Sequence, residues 1–341
     1  MDELLLDVRN LSTHFFTQAG VVKAVNGVSF TLSRNETLGI VGESGSGKTV
    51  AALSLLQLVP DPPGRIVDGE ILYKGRDLCK LNDAEIRAVR GNDIAMIFQD
   101  PMTSLNPVFK VGGQIAEAIM LHQGKSKKEA WRLATELLAK VGIPDAPARA
   151  HQYPFEFSGG MRQRAMIAMA ISCSPDVLIA DEPTTALDVT IQAQIIEVVR
   201  EMQADYQSGV LLITHDLGVV AEMADKVMVM YGGRTVEWGT VDELFYDPHH
   251  PYTWGLLGSL PRLDATSKER LKPITGQPPN LLLLPEGCPF SGRCEYERPE
   301  CRGALSPYEM LSASHGVSCW IPAEDRRARR DALPHFSAVT S

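Results

Sequence analysis

The sequence predicts an α/β protein: a parallel sheet carrying an antiparallel β layer and a helical segment, followed by a small cysteine-rich C-terminal domain. Three observations carry this prediction. The stretch Gly42-Glu43-Ser44-Gly45-Ser46-Gly47-Lys48-Thr49 stands between an apolar run, Thr37-Leu38-Gly39-Ile40-Val41, and a helical pattern from Val50 to Leu58. That is the strand–loop–helix order of a phosphate-cradling P-loop. Farther on, short apolar runs alternate with amphipathic helical patterns and end in polar residues, as the strands of a parallel sheet do. From about Asp247 proline and glycine become frequent and four cysteines gather, which marks a second, smaller domain.

In chain order, Leu4 to Val8, Val21 to Val25 and Val28 to Leu32 read as strands of an antiparallel layer. Arg65 to Leu78 reads as a hairpin punctuated by Asp68-Gly69 and Lys74-Gly75. Ile94 to Phe98 is a core strand ending at Gln99, and helices follow from Asp100 to Tyr153. Among them, Ser126-Lys127-Lys128-Glu129 is a capping box that opens a helix running to about Lys140. A further helical pattern covers Met161 to Ile171. Val177 to Ala180 is a buried strand ending in Asp181-Glu182, Ile191 to Met202 a helix, and Val210 to Ile213 a strand leading to His215. Val227 to Trp238 is a hairpin. The domains expected are 1–246, with a helical subdomain near 100–165, then 247–321, then a mobile, solvated tail at 322–341 that holds Arg326-Arg327 and Arg329-Arg330.

Composition narrows the function. The 341 residues are 44% hydrophobic and 22% charged, ordinary for a protein with a buried core. A net charge of −9 argues against a broad nucleic-acid surface. The longest apolar stretches, Ala165 to Ala170 and Leu281 to Leu284, are far short of a membrane span. Met1-Asp2-Glu3 is acidic where a signal peptide would be basic. A cytoplasmic protein is expected, with any membrane association made through a partner.

The chemistry-bearing residues fall at strand ends. In the P-loop the glycines turn backbone N–H groups toward a phosphate, Lys48 reaches the β- and γ-phosphates, and Thr49 ligates Mg²⁺. Phosphoryl transfer to water also needs a metal-holding carboxylate and a polarised water. Asp181 and the following Glu182 are candidates for those two tasks. His215 and Gln99 stand at two further strand tips, where a ligand crevice forms in such sheets. Cys79 and Cys173 read as small core residues. Cys288, Cys294, Cys301 and Cys319 are spaced C-x5-C, C-x6-C and C-x17-C, which matches neither the usual zinc knuckle nor the bacterial ferredoxin run. Spacing leaves zinc, an iron–sulfur cluster and unligated thiols open, with His315 a nearby nitrogen read as structural.

Phe157-Ser158-Gly159-Gly160-Met161-Arg162-Gln163-Arg164 resembles the signature motif of ATP-binding-cassette (ABC) ATPases, with Met161 where Gln is commonest. The P-loop, Gln99, the signature, Asp181-Glu182, Ala186-Leu187-Asp188 and His215 follow one another in that family's order over roughly residues 4–245. The resemblance implies a RecA-like core whose P-loop binds ATP with Mg²⁺ held by Thr49, Gln99 and Asp181. It makes Glu182, His215 and Gln99 the catalytic set and Phe15 the adenine-stacking aromatic, with Phe16 as its neighbouring alternative. It implies that Ser158, Gly159, Gly160 and Asp188 meet the nucleotide of an opposite subunit.

Gln99 to Pro107, Asp181 to Thr190 and His250-Pro251-Tyr252-Thr253 are similar to the oligopeptide and dipeptide permease ATPases, and the Met161 signature to their D-type subunit. That narrower resemblance implies a peripheral subunit on the cytoplasmic face of the membrane, driving peptide uptake. Its partners would be an F-type ATPase, two permeases contacted near residues 99–160, and an extracytoplasmic binding protein. The segment Gly287-Cys288-Pro289-Phe290 through Cys319-Trp320 resembles the family's C-terminal region, which implies a 4Fe–4S cluster on the four cysteines in preference to zinc. Nickel or oligosaccharide uptake is the alternative cargo. A soluble ABC ATPase acting on DNA or ribosomes, or a redox- or metal-sensing regulator, is the alternative of another class. Against the first stands the single P-loop, and against the second the complete hydrolytic set.

Overall fold

The computed structural model of the chain describes residues 3–100, 104–184, 189–259, 274–333 and 336. It divides into two compact units that interleave along the sequence. Met1–Asp7, Thr31–Thr37 and Ile71–Ile213 make one, and Val8–Phe30, Leu38–Glu70 and Thr214–Ser341 the other.

In the first unit Ile94–Ile97, Val177–Asp181 and Gly209–Ile213 run parallel, with Ile97 opposite Ala180 and Asp181 opposite Ile213. All three strands are buried along their length, as continuous apolar runs in a parallel sheet must be. Their C-terminal ends therefore deliver Gln99, Glu182 and the residue after Ile213 to one edge. The helices Val111–Gln123 and Lys127–Lys140 pack on each other, and Gly159–Ala170 packs on both. Gly112 is needed there, because a Cβ would stand 2.8 Å from that of Ala150.

The helix expected to end near Lys140 does so, but its capping box is half formed. Ser126 Oγ accepts from the Glu129 N–H, whereas the Glu129 carboxylate pairs with Lys125 at 3.0 Å. A one-turn ion pair competes well with the backbone donor on an exposed helix end. Ahead of the central strand, Asp176 accepts from Tyr73, Lys74 and Arg34 at 2.5, 2.7 and 2.8 Å. Burial opposes its ionisation, yet those donors hold its carboxyl below the ordinary value.

In the second unit Thr37–Val41 lies parallel to Lys226–Tyr231, which turns through Gly232-Gly233 onto Arg234–Thr240. Gly316–Ser318 and then Tyr308–Met310 extend this sheet antiparallel. A separate cysteine-rich domain, expected from the shift in composition, is thus not what forms. Proline and glycine shorten the elements without detaching them, and Trp238 pairs with Gly316. Tyr231, Tyr252 and Phe290 meet in an aromatic cluster with ring centroids 4.5 to 5.4 Å apart.

Three sequence expectations are corrected here. Val21–Val25 and Val28–Leu32 are one strand, Gly20–Ser33, because Gly27 at φ +79° lets the chain continue. Asp68-Gly69 is not a turn but part of Gly64–Tyr73, where a Cβ on Gly69 would meet Arg9 O at 2.6 Å. The tail at 322–341, expected to be mobile, contains the helix Ala323–Asp331. Its Arg326 is fully buried, donating to Ile321 O at 2.8 Å and Glu309 at 2.6 Å. Arg330 pairs with Asp247, and Arg329 lies over the Tyr296 ring.

Candidate functional site

Gly42–Thr49 has the shape its glycines permit. Gly42 at φ +150° and Gly47 at φ +105° approach other backbone so closely that a Cβ would stand 2.2 Å from Met230 O and Ala24 O respectively. The helix Lys48–Leu55 starts directly behind them. Lys48 is buried and folds back over the loop, donating from Nζ to Gly42 O at 2.7 Å and Glu43 O at 3.1 Å. Ser46 Oγ is buried with no hydrogen-bond partner among the described residues. A loop of inward N–H groups with a buried ammonium and an unsatisfied hydroxyl suits a phosphate. Thr49 is half-buried at the helix start, and Ser44 and Gly45 are exposed on the outer curve.

Phe15 and Phe16 are distinguished by strand alternation. Thr13, two residues before Phe15, is hydrogen-bonded at 2.8 Å to Ser54 of the P-loop helix, which places Phe15 on that face. A Cβ on Gly64 would stand 2.7 Å from its ring. Phe16 is exposed, with the Arg65 guanidinium 4.4 Å above its ring centre. In the same unit His215 is exposed, just before the helix Leu217–Met223 capped by Asp216. Its neighbour Thr214 donates from N–H to Ile40 O in the P-loop strand.

In the first unit, Asp181 is buried at the end of its strand and Glu182 follows in the left-handed region at φ +48°. Glu182 N–H donates to Ile213 O at 2.8 Å, and Gln99 Nε2 donates to Glu182 Oε2 at 2.8 Å. Two strand-tip residues are thus in direct contact. Ser158 caps the helix Gly159–Ala170 through its hydroxyl, and Ser158 and Gly159 are exposed at that helix start. From the same helix, buried Gln163 donates to Pro183 O at 2.7 Å, bracing the turn after Glu182. Asp188, with Ala186 and Leu187, lies outside the described residues.

Cys288, Cys294, Cys301 and Cys319 all line one pocket, with His250, Phe290 and Tyr296 among its other walls. Burial, reinforced by the neighbouring cysteines, pushes the Cys288 and Cys294 thiols up to about 12 each. Among the described residues no three His, Cys, Asp or Glu side chains form a group that would hold a metal ion, so the convergence expected from the sequence stops short of a formed metal centre. His315 is not on this pocket; its Nε2 lies 2.9 Å from buried Glu237. Cys79 and Cys173 are half-buried rather than core.

Motif reading missed Arg293 and Tyr231 and took Tyr252 only as part of a family motif; Arg293 and Tyr252 bond Glu43 of the P-loop, and Tyr231 accepts from Arg293. Only the position of Arg293 just before Cys294 was a signal.

The ABC transporter family model matches residues 25–185, and the C-terminal region of oligopeptide/dipeptide transporters matches 236–301. The chain is 53% identical over 331 residues to the dipeptide transport ATP-binding protein DppD of Bacillus subtilis, covering 97% of this chain and 98% of that protein. The chain belongs to the ATP-binding subunits of the oligopeptide/dipeptide permease family of ABC transporters. It is also 50% identical over 322 residues to the oligopeptide transport ATP-binding protein OppD of Haemophilus influenzae, covering 94% of this chain and 98% of that one. As in this family generally, the chain is an ATPase. A solved dimeric ATP-binding cassette in a post-hydrolysis state bound to ADP and Pi shares the ABC ATPase fold. Its TM-score is 0.62 at 22% identity, over 69% of this chain and 98% of that one. Among the described residues no helix is long and apolar enough to cross a membrane.

Proposed function

We propose that this chain is the ATP-hydrolysing motor subunit of an importer that takes up di- and oligopeptides, working peripherally on the cytoplasmic face of the membrane. The observation that carries the reading is the identity to DppD and OppD proteins along nearly the whole chain, including the C-terminal region. The P-loop cradles the ATP phosphates through its N–H groups, Ser46 and Lys48, and Phe15 stacks on the adenine. Thr49, Gln99 and Asp181 are the Mg²⁺ ligands of this reading, each offering oxygen, the donor type that Mg²⁺ prefers. When bound, Mg²⁺ neutralises charge on the β- and γ-phosphates. Glu182, oriented by Gln99, polarises the attacking water, and His215 contacts the γ-phosphate. Ser158, Gly159, Gly160 and Asp188 face the nucleotide of a paired, F-type ATPase.

Closure of that pair would move two permeases served by an extracytoplasmic binding protein. Support for a docking surface comes from Val108, Phe109 and Phe155, which are 69%, 59% and 68% exposed. They are large apolar side chains of the helical segment that lack cover.

The four cysteines would be the donor set of a 4Fe–4S cluster, with zinc the competing occupant; support comes from four soft thiols lining one pocket, although among the described residues they do not stand as a formed metal group. Such a group would supply a structural staple to a region of short elements. The test is anaerobic purification from native membranes in mild detergent. A paired ATPase, two multi-span permeases and stoichiometric iron and sulfide are expected. Recovery only with ribosomes or DNA-repair proteins would overturn the transport reading, and zinc without sulfide the cluster. Peptide uptake by the assembled system, against nickel and oligosaccharide, settles the cargo.

A further inference from the structure

The second residue of the P-loop is held by the C-terminal region through both its N–H and its carboxylate. Glu43 N–H donates to Tyr252 Oη at 2.7 Å, and Glu43 O accepts from Lys48 Nζ at 3.1 Å. Its carboxylate receives a two-pronged bond from Arg293, Nη1 to Oε2 at 2.5 Å and Nη2 to Oε1 at 3.1 Å. Arg293 is itself fully engaged. Nη1 also reaches Tyr231 Oη at 3.1 Å, Nη2 reaches Ile274 O at 3.3 Å, and Nε donates to Thr275 O at 2.8 Å. Its side chain is only 7% exposed. The turn that carries it is closed by Ser291 N–H to Cys288 O and Cys294 N–H to Ser291 O. Two of the four pocket thiols therefore bracket the arginine that grips the P-loop.

We propose that Arg293 is a positioning residue of the ATP site, which through Glu43 fixes the P-loop in its phosphate-receiving shape and ties that shape to the cysteine-bearing turn. The inference rests on the reading of Gly42–Thr49 as the ATP-phosphate cradle. A loop with three glycines in the left-handed region has much conformational freedom to lose when a phosphate binds. Ordering it in advance lowers that loss and appears as affinity. The planar guanidinium fork matches both carboxylate oxygens at once, which a lysine ammonium does not.

The experiment is equilibrium titration of the purified full-length chain with ATP, for Arg293→Ala, Arg293→Lys, Arg293→Glu, Glu43→Ala, the double alanine variant and the charge-exchanged pair Arg293→Glu/Glu43→Arg. ATP is expected to bind about tenfold more weakly to either alanine variant. The double variant should be no weaker than the singles, Arg293→Lys should recover part of the loss, and the exchanged pair should outperform Arg293→Glu alone. Unchanged affinity in both alanine variants, or losses that add in the double, would overturn the proposal. Should Arg293→Ala fail to fold, Glu43→Ala and Arg293→Lys decide by the same criterion. Lys48→Ala separates the two readings. If it retains ATP, the cradle assignment fails and takes this inference with it; if it loses ATP while the Arg293 and Glu43 variants keep it, only this inference fails.

Discussion

Gln99 Nε2 donates a 2.8 Å hydrogen bond to Glu182 Oε2, joining the residues that follow two neighbouring parallel strands. The contact holds in place the carboxylate that the proposed mechanism sets against a water. Replacing Glu182 by Gln keeps the size and removes the charge that polarises that water. ATP binding should persist while turnover falls about 10²- to 10⁴-fold, the usual worth of a general base. Phosphate release from the assembled transporter measures it, and turnover near the parent level would remove Glu182 from the role.

Gly47→Ala is expected to be severe for a different reason. The new methyl would stand 2.2 Å from Ala24 O, which is backbone and has little room to retreat, at φ +105°. A loss of at least ~2 kcal/mol of stability follows from combined clash and dihedral strain, read as a lower melting temperature. Gly45→Ala, where a Cβ meets nothing within 4 Å, should lose only the dihedral part.

Acid should weaken the second unit through Glu243. Burial opposes its ionisation, yet donors from Thr240, Ser312 and Ser314 bring its carboxyl from 4.5 down to about 2. A depressed carboxyl contributes stability above its unfolded pKa and loses it as pH falls through the folded one. The contribution is therefore whole above about pH 4.5 and fades toward pH 2. In Glu243→Gln the melting temperature should fall less steeply across that window; an unchanged slope would show that other carboxylates dominate.

Cys301 is the buried member of the four pocket thiols, and its carbonyl accepts from the Cys288 N–H at 2.8 Å. Cys301→Ser keeps that backbone bond and removes one soft donor. Iron and sulfide content after anaerobic purification should drop sharply, together with the melting temperature. Full metal content in the variant would exclude Cys301 as a ligand.

Arg326→Ala would leave the carbonyls of Ile321 and Cys319 and the Glu309 carboxylate without their donor. A loss of about 2–4 kcal/mol is expected from stranding the buried carbonyls and emptying the space of a fully buried side chain. Limited proteolysis should then cut near Ala323–Asp331 before the rest of the chain. A tail that was merely solvated would show neither change.

The P-loop was legible because its demands are local. Glycines at φ values that other residues avoid, a strand before and a helix after are all written within a few residues. The same holds for the buried strands ending in Gln99 and Asp181-Glu182, whose period and terminal polarity are visible in isolation. Local reading failed where a short signal had two outcomes. Asp68-Gly69 sits within a strand as readily as in a turn, and Glu129 had Lys125 as a rival to the backbone. The paired arginines of the tail looked solvated because charge pattern does not say which residues a helix turns inward; tertiary packing buried Arg326 and joined Arg330 to Asp247. The bond between Glu43 and Arg293, 250 positions apart, left no mark at either end, since a single Glu and a single Arg are common and only the fold brings one specific pair together. Sequence alone thus determined the strands, the phosphate loop and the order of the motifs, because each is set by the conformational preferences of neighbouring residues. Tertiary structure alone decided which charged side chains are buried, how the thiols are grouped and what grips the P-loop, because those depend on burial and distance between residues far apart in the chain.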